Sequence, residues 1–553
     1  ADSDHNEPYE PQPDLRALHG YDVGHGVRAV NRYRETSMAT ALIFIFVTFL
    51  AVLDANLLEG IVRRDSKLNQ AEIELKLAEG RVPHILISAA ASLVAGHLAD
   101  SHSRNFLFVA LLLLGKVPNL LMYFAKTFEQ LFFLNMFTGI TIGGLAPLTC
   151  SLASDMFPVD RRVVMLALWT AGLMAGQQLG PQLVGLIQPV YGPKMPFLAL
   201  TVPGLVSSFV VHLLPEPMRA AQEQAFKTRI NPRSHFGENW AYHRPVALAK
   251  VAAGLAVPTV ILSLAQLLPG SIAWSLVTVK LQPFLTTAKD MPHAAAAKVL
   301  ETFKVTNVFG VLISGVIGQV AYNWAPYALP LFMGIGSLLG ISPLLLILQS
   351  PPDPTDSTHL NFWAAAAGAL LAVPLATLQI CLLNVSKPEV RGTISGIYYA
   401  LAAAGRIFGP LGLAAVVVAV GHPVTGLSAG AWAFGVCGLA FLAQAFTLGN
   451  DQWQLQAALA RVLEVDMEML ALNPNTPPAP GYDPAARGPR CPQDQVADDI
   501  AAAANAEFAA YGAREAERTR EREAAWENRA DDDIIELGSD TECEIPAPNK
   551  PLD

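Results

Sequence analysis

"GHLADSHSRN" (residues 96–105) separates two long apolar runs, and its reading decides the architecture. The chain is almost wholly apolar from Val82 and becomes so again at Phe106, yet Asp100, His102 and Arg104 fall together between the two runs. Charges within hydrocarbon cost a few kcal/mol or more, whereas a tight turn between two membrane helices places them at the interface. Asp100, at the end of the first helix, can accept hydrogen bonds from the N-terminus of another helix and can pair with Arg104. Gly96, about one turn earlier, lets its helix approach a neighbour closely.

Further runs follow in both directions. A membrane helix needs about 20 mostly apolar residues. Such runs lie at 38–60, 82–100, 105–125, 130–154, 163–187 and 196–214, then at 249–276, 302–322, 326–349, 361–385, 393–419 and 425–448. They are continuously apolar without period-2 alternation, which predicts helices and not a barrel. Gly310, Gly315, Gly318, Pro330 and Pro343 fall inside them, as membrane helices tolerate. The 553 residues are 52% hydrophobic and 15% charged, with a mean hydropathy of +0.36. A soluble domain carries roughly a quarter charged residues.

These runs predict an all-α, multi-pass integral membrane protein. Its expected parts are a polar N-terminal segment (1–37), a six-helix half (38–215), a cytoplasmic linker (216–248), a second six-helix half (249–449) and an acidic, partly helical C-terminal extension (450–553). Slightly more Lys and Arg in the inner loops, including Arg28, Arg32, Arg34, Arg161 and Arg162, place both termini in the cytoplasm. Much of the net charge of −10 lies beyond residue 495. Residues 453–472 show helical apolar spacing, 473–492 form a Pro-rich linker, and 498–530 read as a charged, Ala-rich helix. Residues 531–553 read as an acidic disordered end, with Ser539 and Thr541 as phosphorylation candidates. Residues 1–35 are polar and show no cleavable signal; a start at Ala1 fits either Met excision or removal of a longer segment.

Cys150, Cys381, Cys437, Cys491 and Cys543 form no CxxC pair, which predicts neither a disulfide framework nor a metal site. There is no P-loop, GxSxG or HExxH motif, so no enzyme activity, cofactor or nucleic-acid partner is expected. Counting the apolar runs as helices 1 to 12, Asp54 lies deep in helix 1 and Arg406 deep in helix 11. Each is a functional candidate, because a buried ion persists only where something requires it. A buried Asp54 carboxylate could load and release a proton, or it could be a hydrogen-bonded structural group. Arg406 could hold an anionic group, pair with Asp54, or bind helix-end carbonyls. Lys116 in helix 3 reads as a snorkelling lysine and Glu59 as interfacial. In "GQQLGPQLVG" (176–185), Gly176, Gly180 and Gly185 form a small-residue face and Pro181 can bend the helix.

Gly96, Leu98, Ala99, Asp100 and Arg104 resemble the G-x-L-A-D-R-x-G-R-K signature of the major facilitator superfamily, although Ser101 and Ser103 stand where that signature has Arg and Gly. "FLAVLDANLLEGIV" (49–62), "SLASDMFPVDRRVVMLALW" (151–169), "LLPEPMRAAQEQ" (213–224), "LPGSIAWSL" (268–276) and "NVSKPEVRGTISGIYYALAAAGRIFGP" (384–410) resemble, in order, its spinster-like branch over about residues 35–450. The Gly-Pro stretch at 176–185 is similar to a helix 5 motif of antiporters. The resemblance implies a twelve-helix fold of two six-helix halves. It also implies alternating-access transport of a small amphiphilic or anionic solute, lysolipid or sphingoid-like, with proton coupling left open. It carries over substrate or coupling roles to Asp54 and Arg406, and gating roles to Gly96, Asp100 and Arg104.

Two departures keep a second reading in view. Ala55 stands where the branch has Arg after the helix 1 Asp, and "NMFTGITIGGLAP" (135–147) lacks the family's helix 4 charges. "GQVAYNW" (318–324) likewise carries no repeat of the gating charges. The alternative is a transport-inactive scaffold subunit of a large membrane complex, binding protein partners through residues 450–553. Membrane lipids and a small amphiphilic solute are the other expected partners. A lysosomal or mitochondrial membrane is expected ahead of the plasma membrane.

Overall fold

A computed structural model describes residues 23–62, 70–214, 216, 217, 219, 220, 222, 223, 246–350 and 357–471; side chains are placed from residue 38 onward, except at 70–79, 376 and 460–471. Among the described residues twelve helical spans, numbered α1 to α12 in chain order, are long and apolar enough to cross a membrane. They are Met38–Val62, Gly80–Ser101, Arg104–Phe124, Phe128–Met156, Val159–Tyr191, Met195–Leu213, Pro258–Thr287, His293–Trp324, Ala328–Gln349, Thr358–Val385, Arg391–Val420 and Pro423–Leu459. No strand occurs among the described residues. The outer faces carry side chains such as Phe46, Phe106, Phe209, Phe309 and Phe446, each exposed by more than half, as a lipid-facing surface requires.

Within the first half α2 packs on α4, α3 on α4 and α6, and α1 on α5 and α6; within the second, α8 and α9 pack on α10, and α7 on α11. The halves meet chiefly where α2 crosses α11 and where α5 crosses α8. At the first crossing, a β-carbon built on Gly96 would lie 2.8 Å from the Gly396 Cα, so only glycine permits the approach. Gly96→Leu is therefore expected to force α2 and α11 apart. The check is disulfide crosslinking between cysteines placed at positions 101 and 393, whose yield should fall several-fold.

The local breaks have chemical causes. The α1 helix ends at Val52, turns through residues 53–56 and resumes as Leu57–Val62. No Gly or Pro marks this break; the side chains within it are drawn to other helices, Asn56 Nδ2 donating to the Gln177 carbonyl of α5 at 3.3 Å and Asp54 accepting from Lys116 of α3. Asn119 Nδ2 donates to the freed Asp54 carbonyl at 3.0 Å, satisfying it inside the membrane. Gly176 of α5 faces the Phe49 carbonyl, where a β-carbon would lie at 2.7 Å, and Gly180 faces that of Leu53. Gly60 in turn lies against Pro181, with its β-carbon position 3.2 Å from the proline Cα, while Gly185 is only partly buried. In α7 a π-turn at Leu276–Lys280 precedes Pro283, and α10 breaks at Ala372 just before Pro374.

Several expected boundaries move. Leu248–Leu255 is a separate short helix, and α7 starts at Pro258, where Thr259 N donates to Asp451 Oδ2 at 2.9 Å. The α8 helix begins at His293 and not near 302, because Ala296, Val299, Leu300 and Phe303 bury one face of a stretch whose other face carries Lys298 and Glu301. Between α7 and α8, Lys289 is buried and donates to the Ser350 carbonyl at 2.8 Å beyond the end of α9; burial pushes its ammonium down to about 8. The α12 helix continues to Ala471. The Pro-rich, Ala-rich and acidic readings of 473–553, with Cys491, Cys543, Ser539 and Thr541, lie outside the described residues.

Candidate functional site

The turn that opened the sequence reading anchors a buried polar cluster at one end of the bundle. Asp100 accepts from Gly392 N at 2.8 Å, Thr393 N at 2.7 Å and Thr393 Oγ1 at 2.7 Å, capping the N-terminus of α11. The first and second halves are thereby joined by one carboxylate. Arg104 does not pair with Asp100. It turns to Asp155 of α4, to Glu216 (Nε to Oε1, 3.3 Å) and to the Pro217 carbonyl. Arg219 completes the corner by donating to the carbonyls of Ala99, Asp100 and His102. Burial opposes charge on Glu216, but the Arg104 amide, the Ser103 hydroxyl and the Arg104 guanidinium hold its carboxyl below the usual range.

A second carboxylate draws the halves together more tightly. Glu223, buried just after α6, accepts at Oε1 from Arg162 of α5 at 3.0 Å and from Arg391 of α11 at 2.8 Å. Its Oε2 accepts from Gln456 of the α12 helix at 2.9 Å. Arg162 also donates to Asn384 Oδ1 at 2.7 Å. Burial alone would raise the Glu223 carboxyl, but Arg391 and Arg162 outweigh it and hold the group at about 2.

The other interface between halves repeats the design without charge. Gln319 Oε1 accepts from Val163 N at 2.8 Å and its Nε2 donates to the Val159 carbonyl at 3.3 Å, so an amide of α8 bridges the first turn of α5. Gly315, packed on Ala167, and Gly318, against Val163, supply close approach here as Gly96 does there. The uncharged "GQVAYNW" stretch therefore ties the halves through amides, Asn323 adding a bond to the Asp160 carbonyl at 3.2 Å. A neutral amide gives a weaker field at the helix terminus than a carboxylate.

Asp54 does not meet Arg406. Its Oδ1 accepts from the ammonium of Lys116 in α3, both side chains being almost completely buried within the first half. Lys116 thus does not snorkel. Gly204 of α6 makes room for it, since a β-carbon there would lie 3.0 Å from Lys116 Cε. Asp54 Oδ2 has no hydrogen-bond partner among the described residues.

At the end away from the Asp100 cluster, a small cavity of about 60 Å³ is lined by Asn56 and Glu59 of α1, Arg81 and His84 of α2, and Phe128 and Asn135 of α4. Arg81 pairs with Glu59 at 3.4 Å. Arg406, midway along α11, is exposed, has no hydrogen-bond or ion-pair partner among the described residues, and casts its charge on His84. Cys150, Cys381 and Cys437 are buried free thiols, and no metal-holding cluster of His, Cys, Asp and Glu occurs among the described residues.

Sequence reasoning singled out Asp54, Asp100, Arg104 and Arg406 but missed Asp155, Glu216, Glu223, Arg391 and Gln319. "PEPMRAAQE" (215–223) held the only signal for two of these: carboxylates directly after an apolar run, opposite arginines that lacked partners.

Comparison with known proteins identifies this architecture. The profile of the Major Facilitator Superfamily matches residues 39–410. The chain is 27% identical over 341 residues to the multidrug resistance protein MdtG of Serratia proteamaculans, covering 61% of this chain and 76% of that one. It is 25% identical to MdtG of Proteus mirabilis, covering 59% and 75%. Among solved structures, the human organic anion transporter MFSD10 superposes with a TM-score of 0.54 at 16% identity, over 75% of this chain and 99% of that one. The proton:xylose symporter XylE gives 0.54 at 14% identity, over 75% and 96%, which speaks for the fold alone. With twelve membrane-length helices among the described residues, the halves crossing at α2–α11 and α5–α8, and this profile match, the chain is a multi-pass integral membrane protein that belongs to the Major Facilitator Superfamily, a family of transporters.

Proposed function

We propose that this protein is a secondary transporter, akin to the spinster-like branch, that moves a small amphiphilic anion of lysolipid type across an organellar membrane by alternating access. The polar cluster around Asp100, Arg104 and Glu223 is its closed gate, and Gly96 permits the close crossing that shuts it. The observation that carries the reading is Arg406. Arg104, Lys116, Arg162, Arg219, Lys289 and Arg391 all have carboxylate or carbonyl partners. Arg406 alone of these cations stands exposed and without a partner among the described residues. A guanidinium at mid-membrane is costly, and an anionic head group offers it a bidentate partner. The organic anion transporter and drug-resistance names among the similar proteins accord with such a substrate.

Uptake of lysophosphatidate and of taurocholate into vesicles holding the purified full chain tests this. Arg406→Gln should lower uptake at least about tenfold, the loss of one charge-assisted contact of about 1.5–3 kcal/mol. Unchanged uptake in that variant removes Arg406 from the site. A second reading, the transport-inactive scaffold, draws support from Asp54, whose engagement by Lys116 denies the cleft a free carboxylate. A wild-type protein that moves neither probe, while co-purifying in a particle of many hundreds of kDa, favours it.

A further inference from the structure

We propose that His84 is a proton-binding site that loads together with the anion held by Arg406, so that one proton accompanies each monoanion. This rests on the transport reading above and extends it to the coupling ion.

The geometry defines which atom titrates. His84 Nδ1 lies 3.0 Å from the Asn135 carbonyl oxygen, and a carbonyl can only accept, so Nδ1 carries a proton. The neighbouring Thr138 hydroxyl does not change this: it donates to the same carbonyl at 2.7 Å and sits 3.2 Å from Nδ1 as a second acceptor. Nε2 is left as the one position that can gain or lose a proton, and it has no hydrogen-bond partner among the described residues. Pinning one ring nitrogen to a carbonyl is how a protein holds an imidazole ready to work through the other.

The charges around the ring set its response. Arg81, on the same helix, is paired with Glu59 of α1, and the residues of α4 that line the cavity, Phe128 and Asn135, do not titrate. Arg406 of α11 is the remaining cation whose field reaches the ring. The heights agree. His84 lies 16 residues before Asp100, and Arg406 lies 14 after Gly392, the residue that Asp100 caps. At 1.5 Å per residue these are about 24 and 21 Å from the shared cap on antiparallel helices. A nearby cation opposes formation of the imidazolium. An anion on Arg406 removes that opposition and favours the proton on Nε2, and by reciprocity the proton tightens the anion. Proton and monoanion together carry no net charge. The cavity of about 60 Å³ admits a few waters at roughly 10–15 Å³ each, enough to bring protons to His84 and too little for an amphiphile.

The test uses the full chain in phosphatidylcholine vesicles loaded with a pH-sensitive dye. Taurocholate is the probe because its sulfonate does not titrate near neutrality; lysophosphatidylglycerol, a phosphodiester monoanion that does not titrate there either, replaces it if taurocholate is not carried. The wild type should acidify the lumen by one proton per anion, respond to an imposed pH gradient, and ignore an imposed potential. His84→Gln should carry the anion without protons. A His84→Gln protein that still acidifies the lumen one-for-one overturns the proposal and leaves the transport reading intact. Should that variant not fold or move nothing, the wild type in detergent decides. Its anion affinity should weaken as pH rises through the titration of the imidazole, by up to about tenfold per pH unit. An affinity flat from pH 5.5 to 8.5 overturns the proposal. No uptake of either probe by the wild type overturns the transport reading, and this one with it.

Discussion

Glu223→Gln is expected to loosen the closed end of the bundle by about 3 kcal/mol, a shift of roughly a hundredfold in the balance between closed and open gate. The carboxylate is almost wholly buried and holds Arg162 of one half beside Arg391 of the other. An amide of the same shape leaves two guanidinium groups side by side with one neutral acceptor. Asp155 compensates little, as its nearest oxygen is 3.9 Å from Arg391 Nη1, which has no hydrogen bond among the described residues. The magnitude follows from linkage: a fall from 4.5 to about 2 is about 2.5 pH units at 1.36 kcal/mol each. Because the closed-state value is the lower one, the stabilisation is complete above about pH 4.5. It drains away as pH falls towards about 2. The gate should therefore stay shut down to about pH 4.5. Spin-label distances between the gate ends of α5 and α11 should lengthen in Glu223→Gln at pH 7, and in the wild type only below about pH 4.5. Distances unchanged in the variant would show that Asp100 and the glycine crossings close this end unaided.

How much of this was legible in the sequence depended on the range of the interaction concerned. Twelve apolar runs and a charged turn at 96–105 are local patterns, and the helices follow them because lipid leaves the backbone no other option. The capping role of Asp100 could also be anticipated, since a carboxylate at a helix end is drawn to another helix's N-terminus. Its partner could not be named, because Gly392 lies 292 residues away. The same distance hid Glu223, which meets Arg162, Arg391 and Gln456 only after four helices have assembled. Lys116 was misread for a related reason: snorkelling is the solution open to a lone lysine, and its partner sits 62 residues earlier in a helix break that no Gly or Pro announces. Gln319 escaped notice because a search for gating charges overlooks an amide. His84 was one of twelve scattered histidines until the Asn135 carbonyl fixed its tautomer.

Asp54→Asn should destabilise the protein by about 3–5 kcal/mol, and Lys116→Met by a similar amount, because each leaves a charge buried without its counter-ion. The double variant Asp54→Asn/Lys116→Met should recover to within about 1 kcal/mol of the wild type, since a buried ion pair replaced by apolar and neutral groups is often neutral in cost. The recovery is expected here because the pair serves the first half alone. The ammonium comes from α3, the room for it from Gly204 of α6, and the Asn119 amide holds the Asp54 carbonyl whatever the side chain carries. With Cys491 and Cys543 replaced by serine, the buried Cys150, Cys381 and Cys437 provide the readout, as a thiol-reactive dye labels them only when heat opens the bundle. Transport separates the possible roles. If the pair is a staple that holds the broken α1 against α3, the refolded double variant still moves one proton per anion, as expected with His84 as the proton site. If the double variant folds and carries the anion but no longer moves protons, the coupling group is Asp54, with its unpartnered Oδ2 as the site that loads the proton, and His84 only positions α2 against α4.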